Sequence, residues 1–177
     1  MKSIETVYRG VLFRSRLEVR WAMFFDQLDI EWHYEPEGYQ LAALRYLPDF
    51  WLPYVRSRGK EGGVFFEVKA TSPTEGERHK ARMLAHGSNR PVLIPTRSPS
   101  PDDRESIEEY VGGALGDWDD DGLAFARCDN CGQMDVGFYA SDEPVCACGK
   151  ATFNAFHPAL MAARNDFPNF CRWERAA

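Results

Sequence analysis

Two aromatic stretches separated by a polar turn constrain this chain more than any other feature. RYLPDFWLPYV and GVFFEVKAT have the aromatic and β-branched composition of β-strands, and RSRGKEGG between them contains the turn-forming residues of a hairpin connection. Both predicted strands carry acidic side chains among their apolar residues. A buried carboxylate is costly unless it is paired or holds a metal, so the hairpin predicts an ion pair or a metal site.

The register of this hairpin brings three charged residues together. If the turn centres near Arg58, Asp49 and Glu67 lie opposite each other, because each is nine residues from that centre. Glu67 and Lys69 are two residues apart, so their side chains leave the same face of the strand. Two carboxylates suit a hard divalent cation such as Mg²⁺, which prefers oxygen ligands and leaves room for water and phosphate.

The same three residues have a second interpretation. Glu67 and Lys69 could form a salt bridge on the solvent face, with Asp49 beginning a turn after Pro48, an arrangement common on exposed strands. In a catalytic patch, Lys69 has two possible tasks. It could stabilise charge on a phosphate, or, with a lowered pKa, help to deprotonate a water molecule. The residues alone leave both tasks open.

The order of the other elements predicts an α/β fold with a mixed sheet. SRLEVRWAMFFDQL has an apolar stripe at helical spacing and predicts an amphipathic helix. IEWHYEPEGYQLAAL predicts a strand or hairpin, broken by proline and glycine. SPTEGERHKARMLAHGS predicts a second helix that ends near Gly87, and PVLIPT predicts a short buried strand. Helix, strands, helix and strand form a core of central sheet flanked by helices.

Glu18, on the first predicted helix, adds a further carboxylate and has two interpretations. The helix must pack on the sheet if the chain has one core, and this brings Glu18 towards the charged patch. However, Ser15 and Glu18 also have the S-x-x-E spacing of a capping box, in which the glutamate side chain returns to a backbone N–H at the helix start. Capping requires no metal.

These segments carry a resemblance to a known enzyme superfamily. FRSRLEVRWAMFFD, YLPDFWLP, FFEVKA and then a lysine-containing helix followed by PVLI occur in the order seen in the PD-(D/E)XK nucleases. The resemblance covers about residues 8 to 96 and is similar in layout to the transposon-associated and phage-encoded endonucleases of that superfamily. It implies a restriction-endonuclease-like core, with a central mixed β-sheet flanked by helices.

The resemblance also implies an activity and a set of site residues. Asp49, Glu67 and the backbone carbonyl of Val68 would bind catalytic Mg²⁺ or Mn²⁺, Lys69 would act at the attacking water, and Glu18 would be the helix carboxylate that completes the catalytic and metal-binding set. The expected function is metal-dependent hydrolysis of phosphodiester bonds in duplex or branched DNA. The alternatives are an inactive, nuclease-like adaptor that binds nucleic acid or protein, and a nuclease that cuts RNA. Superfamily members often dimerise, so a homodimer or a larger protein partner is possible.

The charge distribution leaves nucleic acid open as a partner. The net charge is −6, but residues 1–100 carry 15 basic against 12 acidic side chains, whereas residues 101–177 carry 6 against 15. The acidity therefore lies in the second half, much of it in PDDRESIEEY and GDWDDDG. Five basic residues in the first half could contact DNA phosphates or lie on solvated helix faces: Arg14, Arg16, His79, Lys80 and Arg82.

Four cysteines in two close pairs predict a structural zinc site. Cys128 and Cys131 form C-x₂-C, and Cys146 and Cys148 form C-x-C. In a chain without a secretion signal, this spacing favours zinc over disulfides, and four thiolates would close a tetrahedral site. The arrangement resembles a zinc ribbon with DVGFYASDEP as its hairpin. The second pair is one residue shorter than usual, so His157 is an alternative fourth ligand.

The predicted organisation has three parts. Residues 1–97 form the nuclease-like core, residues 98–122 an acidic linker or surface excursion, and residues 123–177 the zinc-ribbon-like module with a C-terminal helix. The start, MKSIETVYRG, lacks the pattern of a targeting signal, and the longest apolar run, WAMFF, is too short to cross a bilayer. We therefore expect a cytoplasmic protein without a membrane segment.

Overall fold

The chain is α/β, with two helices and thirteen short strands among the residues that the structure describes. The structure is a computed structural model, and it describes residues 4–42, 44–57, 61–96, 98–99, 107–110, 124–128, 130–137, 148 and 153–155. The helices are α1 (Arg16–Gln27) and α2 (Glu75–Ser88). The strands are β1 (Thr6–Tyr8), β2 (Val11–Phe13), β3 (His33–Tyr34), β4 (Tyr39–Leu41), β5 (Leu44–Tyr46), β6 (Phe50–Leu52), β7 (Arg56–Ser57), β8 (Val64–Phe66), β9 (Val92–Pro95), β10 (Ile107–Tyr110), β11 (Ala124–Cys128), β12 (Met134–Gly137) and β13 (Phe153–Ala155).

A five-stranded mixed sheet in the order β10-β9-β8-β6-β3 is the centre of the fold. Strand β8 is antiparallel to β6 and parallel to β9, and α2 lies in the chain between β8 and β9. Parallel neighbours need such a crossover, which is usually a helix. The predicted mixed sheet with flanking helices is therefore confirmed.

Local signals explain where both helices begin. Ser15 has extended backbone angles and its hydroxyl accepts a hydrogen bond from the backbone N–H of Glu18, which starts α1. Thr74 and Glu77 form a complete capping box at the start of α2. α2 ends where Asn89 adopts the left-handed conformation, two residues beyond the predicted end at Gly87.

The alternating side chains of the central sheet supply two apolar clusters. Phe66 and Leu93 belong to the larger cluster, where Trp21 of α1 lies 4.8 Å from Phe66 between ring centroids. Phe65 and the neighbouring Val92 belong to the other cluster, which also includes the residues predicted for the apolar side of α2, namely Ala81, Leu84 and Ala85. The sheet is therefore covered on both faces, as the helix patterns predicted.

The cysteine-bearing segment is joined to the remainder of the fold by a strand pair and by packing. Strands β13, β11, β12 and β7 form a second sheet, in which β12 runs parallel to β7. Phe125 of β11 is buried in the larger apolar cluster, 5.5 Å from Phe24 of α1 between ring centroids. Disturbing this segment would therefore remove apolar contacts from the main core.

The predicted strand RYLPDFWLPYV is wrong in its extent. It divides into the end of β5, which pairs back on β4 as a separate hairpin, and β6, which belongs to the central sheet. Pro48 lies between them and has no N–H with which to continue a strand ladder. The expected turn also contains a short strand, β7, that pairs outside the hairpin. Only tertiary pairing distinguishes these pieces, because each has just two or three residues.

Two further findings concern segments outside the predicted elements. Within the acidic stretch expected to link two units, β10 forms the antiparallel edge of the central sheet, with Ile107 and Tyr110 buried. The N-terminal hairpin of β1 and β2 was not predicted. Across the described part of the chain, neither helix is long and apolar enough to cross a lipid bilayer.

Candidate functional site

The strand register predicted for Asp49 and Glu67 is confirmed. In the β6–β8 pair, Phe50 lies opposite Phe66 and Leu52 opposite Val64, so one step further along places Asp49 opposite Glu67. Both carboxylates lie just beyond the paired segments, at the end of the sheet. The backbone N–H of Glu67 donates to the carbonyl of Leu93 over 2.9 Å, so the chain continues its ladder with β9 there. A rigid backbone therefore holds both acidic residues.

Asp49 is a buried carboxylate with direct hydrogen-bond partners. It is 6% exposed. The backbone N–H of Val68 donates to its Oδ2 over 2.7 Å, and the Arg14 guanidinium donates to its Oδ1 over 3.2 Å. Its own backbone N–H donates to Glu67 Oε2 over 3.3 Å. These bonds orient the Asp49 carboxylate beside Glu67 rather than towards bulk water, unlike a residue that only begins an exposed turn.

The surroundings of Asp49 disfavour its ionised form. Burial raises the pKa of the Asp49 carboxyl well above its usual range, and the neighbouring carboxylates of Glu67 and Glu18 raise it further. The Val68 N–H and the Arg14 guanidinium oppose this increase in pKa without cancelling it. A cation next to Asp49 would stabilise its ionised form.

Lys69 forms the ion pair with Glu67 that was the alternative interpretation of the sequence, but the pair lies in a pocket and not on an exposed strand face. Its Nζ lies 2.8 Å from Glu67 Oε1 and 3.0 Å from Glu77 Oε1. Glu67 is only 7% exposed, so this pair differs from a solvated strand-face salt bridge. Burial opposes the charged form of Lys69, but Glu67 and Glu77 outweigh it and raise the pKa of Lys69 to about 12. The amine is therefore protonated at neutral pH.

Glu18 acts as a hydrogen-bond acceptor at the start of α1. Its Oε1 accepts from the Ser15 hydroxyl over 2.6 Å. Its Oε2 accepts from the Tyr34 hydroxyl over 2.6 Å and from the backbone N–H of Arg14 over 3.1 Å. The side chain thus returns to the backbone N–H of Arg14, the residue before the cap, and to the hydroxyl of the cap residue Ser15 rather than to its backbone N–H. The capping interpretation of Glu18 is supported in this modified form, while Glu18 also lies at the wall of the pocket.

These residues surround one pocket of about 500 Å³. Its acidic residues are Glu18, Asp49, Glu67 and Glu77, and its basic residues are Arg14, Arg45, Lys69 and Lys80. Val68 also lines it. Among the basic residues proposed from sequence, Arg14 and Lys80 reach this pocket, whereas Arg16, His79 and Arg82 are not part of its lining. Arg82 instead pairs with Glu75 over 2.7 Å.

Sequence reasoning missed three polar residues of the pocket. Glu77 had a readable signal, because Thr74 and Glu77 have capping-box spacing, but nothing in that spacing indicates contact with Lys69. Tyr46, next to Glu67 and Asp49, has its hydroxyl pKa raised by burial and then by these two carboxylates. Arg45 and Tyr46 are brought to the pocket by the β4–β5 hairpin, whose position depends on tertiary packing.

The cysteine cluster is a second and separate candidate metal centre. Cys128, Cys131 and Cys148 place their sulfur atoms within 4.8 Å of one another, and they can bind a metal such as zinc. Within the described ranges no other set of three metal-ligating side chains is this tight, so Glu18, Asp49 and Glu67 form a looser arrangement. Cys146 and His157, the candidates for a fourth ligand, lie outside the described residues.

The local backbone explains how the first two cysteines converge. The Gly132 N–H donates to the Cys128 carbonyl over 2.8 Å, and the Cys128 N–H donates to the Gln133 carbonyl over 2.9 Å. Gly132 has φ +72°, which a residue without a Cβ adopts at little cost. The Sγ atoms of Cys128 and Cys148 are 3.7 Å apart. Thiolates at about 2.3 Å around a tetrahedral zinc would lie about 3.8 Å apart, so this spacing fits zinc.

Comparison of the chain with protein-family models, with curated proteins and with solved structures finds no match. Function must therefore be argued from the two sites themselves.

Proposed function

We propose that this protein is a metal-dependent DNA endonuclease with a PD-(D/E)XK site and a restriction-endonuclease-like core. The observation that carries the proposal is the convergence of Asp49, Glu67 and Lys69 in one pocket. These three residues come from two paired strands, as the superfamily resemblance requires. The sequence of α1, antiparallel β6 and β8, crossover helix α2 and parallel β9 supports the proposed core.

The donor set suits a hard divalent cation. Asp49 and Glu67 offer buried carboxylate oxygens, the ligands preferred by Mg²⁺ and Mn²⁺. Burial and the Glu67 and Glu18 carboxylates disfavour the ionised form of Asp49, and a bound cation would stabilise it. We assign Asp49, Glu67 and the Val68 carbonyl as ligands, as the superfamily resemblance implies, and Glu18 as a supporting carboxylate that accepts three hydrogen bonds at the start of α1. A bound divalent ion would supply Lewis-acid polarisation of the phosphate.

The protein residues have separate tasks in the proposed reaction. Water attacks the phosphorus and releases a proton to solvent, the bond to the leaving oxygen breaks, and that oxygen takes up a proton from solvent. The products therefore carry a phosphate end and a hydroxyl end. Lys69 contributes as a cation that stabilises negative charge on the phosphoryl oxygens, because a protonated amine has no lone pair with which to accept a proton from water. This choice between the two tasks considered for Lys69 follows from its contacts with Glu67 and Glu77.

The basic residues at the pocket support a nucleic-acid substrate despite the net charge of −6. Arg14, Arg45 and Lys80 line the same cavity from three different segments. Phosphate contacts of this kind position a nucleic acid without reading its sequence. We propose DNA, duplex or branched, as the substrate class on the basis of the superfamily resemblance.

A cleavage assay with two lysine variants tests the proposal. Supercoiled, linear, branched and single-stranded DNA are incubated with Mg²⁺ or Mn²⁺ and with native protein, Lys69→Ala or Lys80→Ala. We expect metal-dependent cleavage that falls on the order of 10²–10³-fold in Lys69→Ala, the usual cost of losing one charge-stabilising group. Lys80→Ala removes an amine from the same pocket while leaving the Glu67–Lys69 pair in place, so it should retain most of the rate at saturating DNA.

Several outcomes would contradict the proposal. Cleavage that persists without a divalent ion, or at the native rate in Lys69→Ala, would exclude the proposed mechanism and indicate a contaminating nuclease. A folded native protein that cuts neither DNA nor RNA would favour the nuclease-like adaptor. Cleavage of RNA alone would retain the site chemistry and change the substrate class.

A further inference from the structure

The capping box of α2 contacts the lysine of the proposed site. Thr74 donates to Glu77 Oε2 through both its backbone N–H and its hydroxyl, each over 2.8 Å. The Glu77 N–H donates in return to the Thr74 hydroxyl over 3.3 Å. The other carboxylate oxygen, Oε1, lies 3.0 Å from Lys69 Nζ. One oxygen of Glu77 thus satisfies the helix terminus while the other contacts the ammonium.

Because one carboxylate oxygen of Glu77 is bound to the helix start, the other is a fixed negative charge beside Lys69. A lysine side chain is long and flexible, and holding it in one place costs conformational entropy. Glu67 also contacts Lys69, but Glu67 is a proposed metal ligand and would share its charge with an ion. Glu77 is held by three hydrogen bonds at the start of a helix, and it therefore remains in place whether or not an ion is bound.

We infer that Glu77 is a positioning residue that holds the Lys69 ammonium at the pocket, so that the capping box of α2 also orients the site. The catalytic part of this inference rests on the proposed nuclease function. The contact between Glu77 and Lys69 is independent of it.

Substitutions can separate the two tasks of Glu77. Glutamine is an accepted residue at the third position of a capping box, so Glu77→Gln should keep the cap and remove the negative charge beside Lys69. Thr74→Ala weakens the cap by removing the hydroxyl that takes part in two of the three hydrogen bonds to Glu77, but it keeps the carboxylate and the Thr74 N–H that donates to it. Glu75→Gln is the matched control, because Glu75 lies in the same helical turn but pairs with Arg82 and is 74% exposed at its side chain.

The first measurement does not depend on cleavage. The native protein and the variants are treated with an amine-acylating reagent, and the rate of Lys69 labelling is followed by peptide mass spectrometry. An ammonium held between two carboxylates reacts slowly, so Glu77→Gln should increase the Lys69 labelling rate several-fold with an unchanged melting temperature. Glu75→Gln should label at the native rate.

The second measurement uses the proposed reaction. Glu77→Gln should lower kcat roughly tenfold and by no more than the ~100-fold that a 1 Å misplacement costs, with KM for DNA nearly unchanged. The same substitution should have no further effect in a Lys69→Ala background. Thr74→Ala should lose stability but lower kcat less than Glu77→Gln does, because the negative charge beside Lys69 remains.

The outcomes distinguish the inference from the function on which it rests. Native labelling of Lys69 and native kcat in Glu77→Gln would overturn the inference while leaving the nuclease proposal intact. The inference would also be overturned if kcat and melting temperature fall together in both Thr74→Ala and Glu77→Gln, because loss of the helix cap alone would then explain the lower kcat. Faster labelling in a protein that cuts no nucleic acid would support the contact and reject the nuclease function.

Discussion

The carboxylate pocket and the cysteine cluster are both candidate metal centres, but they are assembled differently. Asp49 and Glu67 are 18 residues apart and meet only because two strands pair. Cys128 and Cys131 are three residues apart and converge through one local turn. A motif built from a local turn can be recognised by its spacing alone, whereas a motif built across strands requires a correct register.

The two regions also differ in how their ligand groups are satisfied. The pocket carboxylates have strong partners within the protein, including Arg14, Lys69 and the Val68 N–H. The cysteine sulfurs have weak ones, such as the Asn130 amide 3.5 Å from Cys148 Sγ. We therefore expect the pocket to fold without its ion and the cysteine cluster to depend on a metal, because metal binding in small thiolate modules supplies folding free energy.

The largest expected effect is on stability, at the cysteine cluster. Cys128→Ser, or removal of zinc by a chelator, should lower the free energy of unfolding by more than about 4 kcal/mol, as expected when a structural metal is lost. The loss should reach the main core through Phe125 and through the β12–β7 pair. Zinc content by mass spectrometry and thermal denaturation measure it.

Cys171→Ser is the control for this prediction, since Cys171 belongs to neither cysteine pair of the motif. If the purified protein lacks near-stoichiometric zinc, or if Cys128→Ser has the native melting temperature, the cysteine cluster does not need a metal to fold. The two regions would then not differ in their dependence on metal.

At the pocket the largest effect should be on metal binding and not on folding. Glu67→Gln should weaken Mn²⁺ binding by at least ~100-fold, beyond the 10–100-fold typical of residues that only support a ligand. The melting temperature should change little, because Lys69 keeps its contact with Glu77. Calorimetric titration with Mn²⁺ measures the affinity. Glu61→Gln, at an exposed carboxylate paired with Arg56, is the control. Unchanged Mn²⁺ affinity in Glu67→Gln would show that the ligand assignment is wrong.

A moderate effect should appear in the pH dependence of the metal-free protein. Because the pKa of Asp49 is raised in the folded state, the folded protein binds more protons than the unfolded chain between the unfolded and folded pKa values. The contribution of Asp49 to stability therefore falls as pH rises through that window. Asp49→Asn should remove this fall and raise the melting temperature at alkaline pH by roughly 2–4 °C, about 1 kcal/mol at this size.

Thermal denaturation in chelator from pH 4 to 9 follows this difference, and saturating Mg²⁺ or Mn²⁺ should remove the advantage of Asp49→Asn by stabilising only the native site. A metal-free Asp49→Asn protein that is less stable than the native protein at every pH would contradict the raised pKa of Asp49.

The smallest effect should come from Glu18. Glu18→Gln leaves one acceptor oxygen where the carboxylate accepts three hydrogen bonds, so we expect a stability loss of about 1 kcal/mol and less than a tenfold loss of cleavage. Ser15→Ala is the matched change, because it removes the cap without altering charge and should cost a similar ~1 kcal/mol. If Glu18→Gln abolishes cleavage at full stability, Glu18 is a metal ligand rather than a support.

Much of the core and part of the site could be predicted because their signals are periodic or local. The apolar spacing of α1 and the position of Ser15 define that helix. The alternation of side chains along the strand that contains Phe66 determines which face of the strand Glu67 occupies. The β4–β5 hairpin and β10 escaped prediction because strands of three or four residues carry too little pattern to identify their partners. Arg45 was missed for the same reason. Glu77 was missed although α2 was predicted, because its contact with Lys69 depends on how that helix packs.

By itself, the sequence determined the two main helices, the opposition of Asp49 and Glu67, and the local approach of Cys128 and Cys131. These follow from periods of 3.6 and 2 residues and from close spacing, which act along the chain. Tertiary structure alone decided that the Glu67–Lys69 pair lies in a pocket, that Glu18 accepts three hydrogen bonds, and that Glu77 holds Lys69. Such features depend on burial and on contacts between distant segments, and both arise only when the sheet and its helices pack together.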